Sequence, residues 1–231
     1  FPVPGMREVD PFLLFDHFGP INYEPGGATG VPAHPHCGFE AIIYLLDGEV
    51  EHRDSWGGQA TIKTGDIQWM TTGSGLIHSE LVTNNFKKSG GVMQGLQIWV
   101  NLPKEDKKVK PGYQHIHKNK IPTIKLEEKN VNIKILVGKV FGKSSSINTY
   151  SPVSIFDTQF MQPEELSLSM PIEQMVMVYI IEGKMKFKDT DNLATKGQMV
   201  YFDQTADTIH LNSLSQHGSY LVLAGKPLNE P

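Results

Sequence analysis

The sequence predicts an all-β protein made of two copies of one β-barrel unit, a jelly-roll pair packed together. Short branched and aromatic runs such as Ile42-Ile43-Tyr44-Leu45-Leu46 recur between glycine turns, the mark of buried strands. The stretch Tyr44 to Asp54 (YLLDGEVEHRD) matches Tyr179 to Asp189 (YIIEGKMKFKD) at an offset of 179 − 44 = 135. Farther on, Gly65, Trp69 and His78 fall opposite Gly197, Tyr201 and His210 at an offset of 132, consistent with a short deletion. A repeat of this length is one structural unit used twice.

In order along the chain, residues 1–33 carry Pro and Gly clusters around one apolar block, Pro11-Phe12-Leu13-Leu14-Phe15, read as a strand or core plug. His17, just after it, reads as a hydrogen-bonding histidine. Asp47-Gly48 is a two-residue hairpin signal, because Gly accepts positive φ, and Val50 to Arg53 is expected to return as the partner strand. Thr64-Gly65-Asp66 marks the turn before Ile67-Gln68-Trp69-Met70. Gly73-Ser74-Gly75 leads into His78 and Glu80; it is no phosphate loop, since no Gly-Lys-Ser/Thr follows. Leu96 to Leu102 reads as the last strand of the first unit and the lysine-rich Pro103 to Pro111 as a solvated linker. The expected domains are therefore 1–112, holding the chemistry, and 113–231. His115-Ile116-His117 lies beside the linker with no suitably spaced carboxylate or histidine pair after it, so no metal role is expected there. Ser144-Ser145-Ser146 is a polar loop.

Composition narrows the function. A net charge of −4 over 231 residues argues against bulk electrostatic binding to nucleic acid. One cysteine excludes an intramolecular disulfide and suits a reducing cytoplasmic compartment, or a nuclear one in a eukaryote. No apolar run approaches a membrane span, and no signal peptide is evident. The chain opens on Phe1 and not Met, so upstream residues are expected to be missing.

The chemistry gathers at two short stretches, His34-Pro35-His36-Cys37-Gly38-Phe39-Glu40 and His78-Ser79-Glu80. Strand side chains two apart share a face. His34 and His36 therefore project together, as do His78 and Glu80. Two neighbouring strands then offer three imidazoles and a carboxylate to one point, a first-row metal site with open positions. A structural zinc site would more often be closed and sulfur-rich. In the second copy, His34 and His36 fall opposite Ser169 and Pro171, and Glu80 opposite Asn212; only His210 survives. One metal per chain is expected, in the first barrel. Glu40 is read as an acceptor behind a histidine or an occasional fifth ligand. Phe39, Trp69 and Met70 are expected in the core or pocket wall, Trp56 in surface packing, and Cys37 as an inert, partly buried thiol, or as an oxidation site if exposed.

The segments DPFLLFDHFGP, HPHCGFEAIIYLLDGEVEHRDSWGG, TGDIQWMTTGSGLIHSE and GLQIWVNLP resemble the signature blocks of the pirin family of cupins. They span most of residues 10–103. One departure is Cys37, where the pirin pattern usually has Arg. The resemblance implies a bicupin fold, a C-terminal extension beyond Pro231, and Fe(2+) as the metal, although imidazole and carboxylate also suit other divalent transition metals. It further implies an oxidoreductase of the quercetin 2,3-dioxygenase kind, which opens a flavonol ring with dioxygen and releases carbon monoxide. In that role Glu80 is both ligand and base for the substrate hydroxyl. The alternative is a non-enzymatic, iron- or redox-dependent protein partner of transcription factors. A third reading is a cupin isomerase or small-molecule binder whose metal only positions a ligand.

Overall fold

The computed structural model describes residues 1–187, 192–202 and 207–230. Asp189, the last position of the first repeat match, lies outside them. The chain divides into two compact units, residues 1–120 with the tail from Leu228, and Ile121–Pro227. Among the described residues no helix is long and apolar enough to cross a membrane.

The first unit consists of β1 (Phe12–Tyr23), β2 (Gly30–His36), β3 (Phe39–Asp47), β4 (Glu49–Asp54), β5 (Gln59–Lys63), β6 (Ile67–Thr71), β7 (Leu76–Val82), helix α1 (Asn84–Ser89), β8 (Gly91–Asn101) and β9 (Gly112–Ile116). They form two antiparallel sheets, one ordered β1-β8-β3-β6-β9 and the other β2-β7-β4-β5. Ile43 and Leu45 of the first sheet pack with Val50 and Ile62 of the second, and Phe86 of α1 joins them. Burial of these side chains from both sheets is the main stabilising term.

Three sequence expectations change here. Asp47-Gly48 does not close a hairpin. Both edges of β3 are taken, by β6 and β8, whereas β4 pairs with β5 and β7. Gly48, at φ +108°, instead carries the chain from one sheet to the other. The last strand of the unit is not the one ending near Leu102, because β9 adds to β6; the observed division follows Lys120, whereas the expected 112/113 boundary would cut β9. The lysine-rich linker is not simply solvated either. The Val109 carbonyl accepts the Ser74 N–H at 2.9 Å.

The second unit repeats the plan. A six-stranded sheet runs Thr123–Leu126, Val131–Val137, Val153–Phe160, Gly218–Gly225, Met175–Glu182, Met199–Phe202. A four-stranded one runs Glu164–Ser169, Thr208–Ser213, Lys184–Lys186, Leu193–Thr195. Its core includes Phe156, Phe160, Leu168, Ile180 and Tyr220.

Gly30 sets how closely β2 lies against β7. It sits at φ +80°, and a Cβ there would stand 2.4 Å from the Glu80 carbonyl oxygen and 2.7 Å from the Leu81 Cα. Both backbone strain and overlap oppose any side chain. Gly30→Ala is expected to cost more than about 1 kcal/mol, read as a lower urea midpoint. A midpoint equal to the parent's would show that β2 has room to move.

Candidate metal centre

On β2 and β7 the antiparallel register sets His34 opposite His78. A bulge between Val31 and His34 precedes the pair. β2 lies at the edge of its sheet, where Pro35, lacking an N–H, does not break a ladder on both sides. The alternation then turns His34, His36 and His78 to one interior point, with one ring nitrogen from each lying within 4.8 Å of the others. Ring centroids are 4.6 Å apart for His34–His36 and 4.4 Å for His34–His78.

The hydrogen bonds leave this cluster open to a cation. His34 donates Nδ1–H to the Pro32 carbonyl at 2.8 Å, which leaves its Nε2 lone pair free. Nε2 of His36 and both ring nitrogens of His78 are buried without a hydrogen bond. Buried polar atoms are rarely left so. Burial, with the neighbouring His34, lowers His36 to about 4. Burial and the surrounding histidines lower His78 to about 3. Both rings are thus neutral donors at physiological pH, the form a metal needs.

Glu80 shares the inward face of β7 with His78, but its oxygens do not fall within the trio's cluster. It groups with His78 and His52. Its Oε1 stands 3.7 Å from His78 Nδ1 and accepts the Gln68 amide at 2.5 Å. Gln68 in turn accepts the Tyr113 hydroxyl at 2.9 Å. This chain holds the carboxylate to one side of the three imidazoles. Burial raises Glu80 to about 7, against the opposing pull of the Gln68 amide.

His52, Gln68 and Tyr113 also belong to the site, although the sequence places His52 and Gln68 only on strands and does not single out Tyr113. His52 is fully buried, opposite Glu80 on β4, with Nε2 3.1 Å from Asp54 Oδ2; the period-two face Val50, His52, Asp54 carried the signal. Tyr113 stacks on His52 at 4.2 Å, and nothing local in the sequence marks it. Glu40 is not grouped with the histidines. It accepts the Trp69 indole N–H and the Thr71 hydroxyl, each at 2.8 Å. Cys37 is exposed rather than partly buried. Lys107, from the supposed linker, donates to the Gly38 carbonyl at 3.2 Å and to Asn101. The rim next to Cys37 thus has a positive charge despite lacking the usual Arg. A cleft of about 630 Å³ opens beside the trio, walled by Pro35, His36, Phe39, Leu76, Ile77 and Trp99. Phe39 and Trp99 stack at 4.5 Å, and His36 meets Trp99 edge-on at 5.1 Å.

The strand register also corrects the alignment of the two units. His210 lies opposite Ser167, and Asn212 opposite Glu165. Since His78 corresponds to His210, His34 corresponds to Ser167 and His36 to Ser169, not to Ser169 and Pro171. Ser167 and His210 bond to each other at 2.9 Å, and Asn212 donates to Glu165 at 3.1 Å.

Residues 2–100 match the pirin family, and residues 155–231 match the pirin C-terminal cupin domain. Pirin of Rattus norvegicus is 34% identical over 235 residues, which cover 99% of this chain and 75% of that protein. The crystal structure of a quercetin 2,3-dioxygenase from Acinetobacter baumannii superposes with a TM-score of 0.90 at 36% identity, covering 96% of this chain and 76% of that one. A bacterial pirin of Escherichia coli, solved in complex with nickel(II), shares the fold at a TM-score of 0.76 and 19% identity, over 97% of this chain and 86% of its own. With both pirin domains matched and a third of its residues shared with rat pirin along nearly its whole length, this chain belongs to the pirin family.

Proposed function

We propose that the protein is an iron-dependent dioxygenase that opens flavonols, with Fe(2+) held in the first unit by His34, His36, His78 and Glu80. The observation that carries this reading is the set of buried imidazole nitrogens without hydrogen bonds beside an aromatic-walled cleft. The likeness to the Acinetobacter quercetin 2,3-dioxygenase supports it. The ligand types admit other divalent transition metals, and the choice of iron rests on the family resemblance. The second unit, with Ser167, Ser169 and Asn212 at the corresponding positions, holds no metal in this reading. A bound iron would supply Lewis acidity toward the substrate's neighbouring oxygens and a route for dioxygen to react.

The protein's own groups do the rest. Trp99 and Phe39 offer flat faces to an aromatic ligand, and the cleft volume lies within the ordinary range for small-molecule sites. Glu80 takes the proton from the flavonol 3-hydroxyl. A carboxyl near neutrality is suited to that step. Gln68 and Tyr113 orient it, and Lys107 at the rim favours an anionic substrate.

A second reading, an iron-dependent binding protein, is favoured by Ile77 and Leu81, which are 54% and 45% exposed. They alternate with His78 and Glu80 on β7, so one strand faces both the site and solvent. If iron-loaded protein consumes no oxygen with any flavonol, the binding reading replaces the enzyme.

One tightly held ion per chain is expected by elemental analysis. His36→Ala should weaken it by at least the roughly 10–100-fold that loss of an outer partner costs. Undiminished metal content in this variant would rule out the ligand set. Glu80→Gln should keep appreciable iron but lose at least about a hundredfold in turnover per iron, the low end for general base catalysis. In the parent the rate should rise as pH climbs through the Glu80 pKa, which lies at about 7 without metal and lower beside a bound cation. The variant should lack that limb. Equal rates per iron would make Glu80 a ligand only.

A further inference from the structure

Asp66 occupies the turn between β5 and β6, and His115 and His117 lie at and just beyond the end of β9, the edge strand of the five-stranded sheet. In the sequence no suitably spaced carboxylate or histidine pair follows this His-x-His. The structure supplies one from 49 residues upstream of His115. His115 Nε2 lies 3.1 Å and His117 Nδ1 3.3 Å from the same oxygen, Asp66 Oδ2. One ligand atom from each residue lies within 4.8 Å of the other two, and the two rings meet at 4.4 Å.

We propose that Asp66, His115 and His117 form a second cation site, which takes a borderline divalent metal such as Zn(II) and ties the end of β9 to the β5–β6 turn. The acceptor count favours a cation over hydrogen bonds alone. A carboxylate oxygen has about two lone-pair directions. Oδ2 already accepts the Lys63 N–H at 3.1 Å, and Oδ1 accepts the Lys118 N–H at 2.8 Å. Two further ring N–H donors on Oδ2 would exceed its capacity. A cation among the three removes the excess. Both imidazoles then present lone pairs, and Oδ2 gives one to the ion and one to Lys63. The two backbone N–H groups already hold the carboxylate in place, the kind of outer support that metal sites use. The His117 side chain is 65% exposed and that of His115 12%, so one side of the site faces water, which completes the coordination. Two histidines with one carboxylate and open positions suit Zn(II), Ni(II) or Co(II). Three ligands, one of them exposed, should hold the ion more weakly than the barrel centre.

The test fills the barrel site of the whole protein with one equivalent of Zn(II) and then titrates a second, following binding by calorimetry and the histidine rings by NMR. A weaker second equivalent should bind and move the ring signals of His115 and His117. His117→Ala replaces a largely exposed side chain, so the fold is expected to stand, with circular dichroism as the control. It should weaken the second equivalent by at least about tenfold, the lower bound for losing even an outer partner, and leave the first unchanged. The proposal is overturned if no second equivalent binds, if His117→Ala binds it as the parent does, or if the shifted rings are other than these two.

Discussion

The centre of the first unit depends on one register, the antiparallel pairing that sets His34 opposite His78. Side chains alternate along a strand, so a slip of one residue would turn every inward group outward. Two features secure the alignment. Gly30 lets the β2 backbone lie close to the Glu80 carbonyl, where no Cβ fits. The bulge between Val31 and His34 then resets the pairing, so that His36 meets Leu76. The exposed faces of Ile77 and Leu81 follow from the same alternation that buries His78 and Glu80. The site and the outer surface of β7 are therefore two consequences of one constraint.

Much of this was legible in the sequence, because the information was local. The His-x-His and His-x-Glu spacings need only a strand to turn each pair to one face, and β2 and β7 are strands; the β2–β7 register then brings His34 and His36 to His78. What failed depended on which strand lies beside which. Asp47-Gly48 looked like a hairpin because turn chemistry is local, whereas the occupancy of both β3 edges by β6 and β8 is not. The carboxylate beside His115 and His117 was invisible for the same reason, since Asp66 reaches them only through the pairing of β6 with β9. Tyr113 and Gln68 become supports of Glu80 through that pairing too. The repeat was legible as a repeat, but its alignment at the histidine strand was not. Two gaps of unknown position can be slid in sequence and cannot be slid in a ladder.

The second unit shows what the fold looks like with the site removed. Its interior keeps the apolar packing of a barrel, so the architecture does not require the histidines. At the positions of His34 and His78 stand Ser167 and His210, bonded to each other, and at that of Glu80 stands Asn212, bonded to Glu165. These polar groups satisfy one another. The first unit does the opposite: His36 and His78 retain buried nitrogens without hydrogen bonds, which costs stability in the absence of an ion. A domain that tolerates such groups on one copy and pairs them on the other carries them for something other than folding.

That cost also explains the state of Glu80. His36 and His78 are neutral and the Glu80 carboxyl lies near its pKa at neutral pH. Burial is the common cause: it drives protons off the histidines and onto the carboxyl, since both changes remove charge from a region of low polarity. A proton and a divalent cation are then alternative partners for the same oxygen pair. The Gln68–Tyr113 chain holds Oε1 without adding charge, so the carboxyl remains oriented toward His78 whichever partner it takes. In the proposed reading, the burial that favours a cation at Glu80 is the same property that suits its carboxyl to act as a base near neutrality. Among the described residues, burial and the Gln68 amide set the state of this carboxyl, which is what the proposed pairing of ligand and base in one side chain requires.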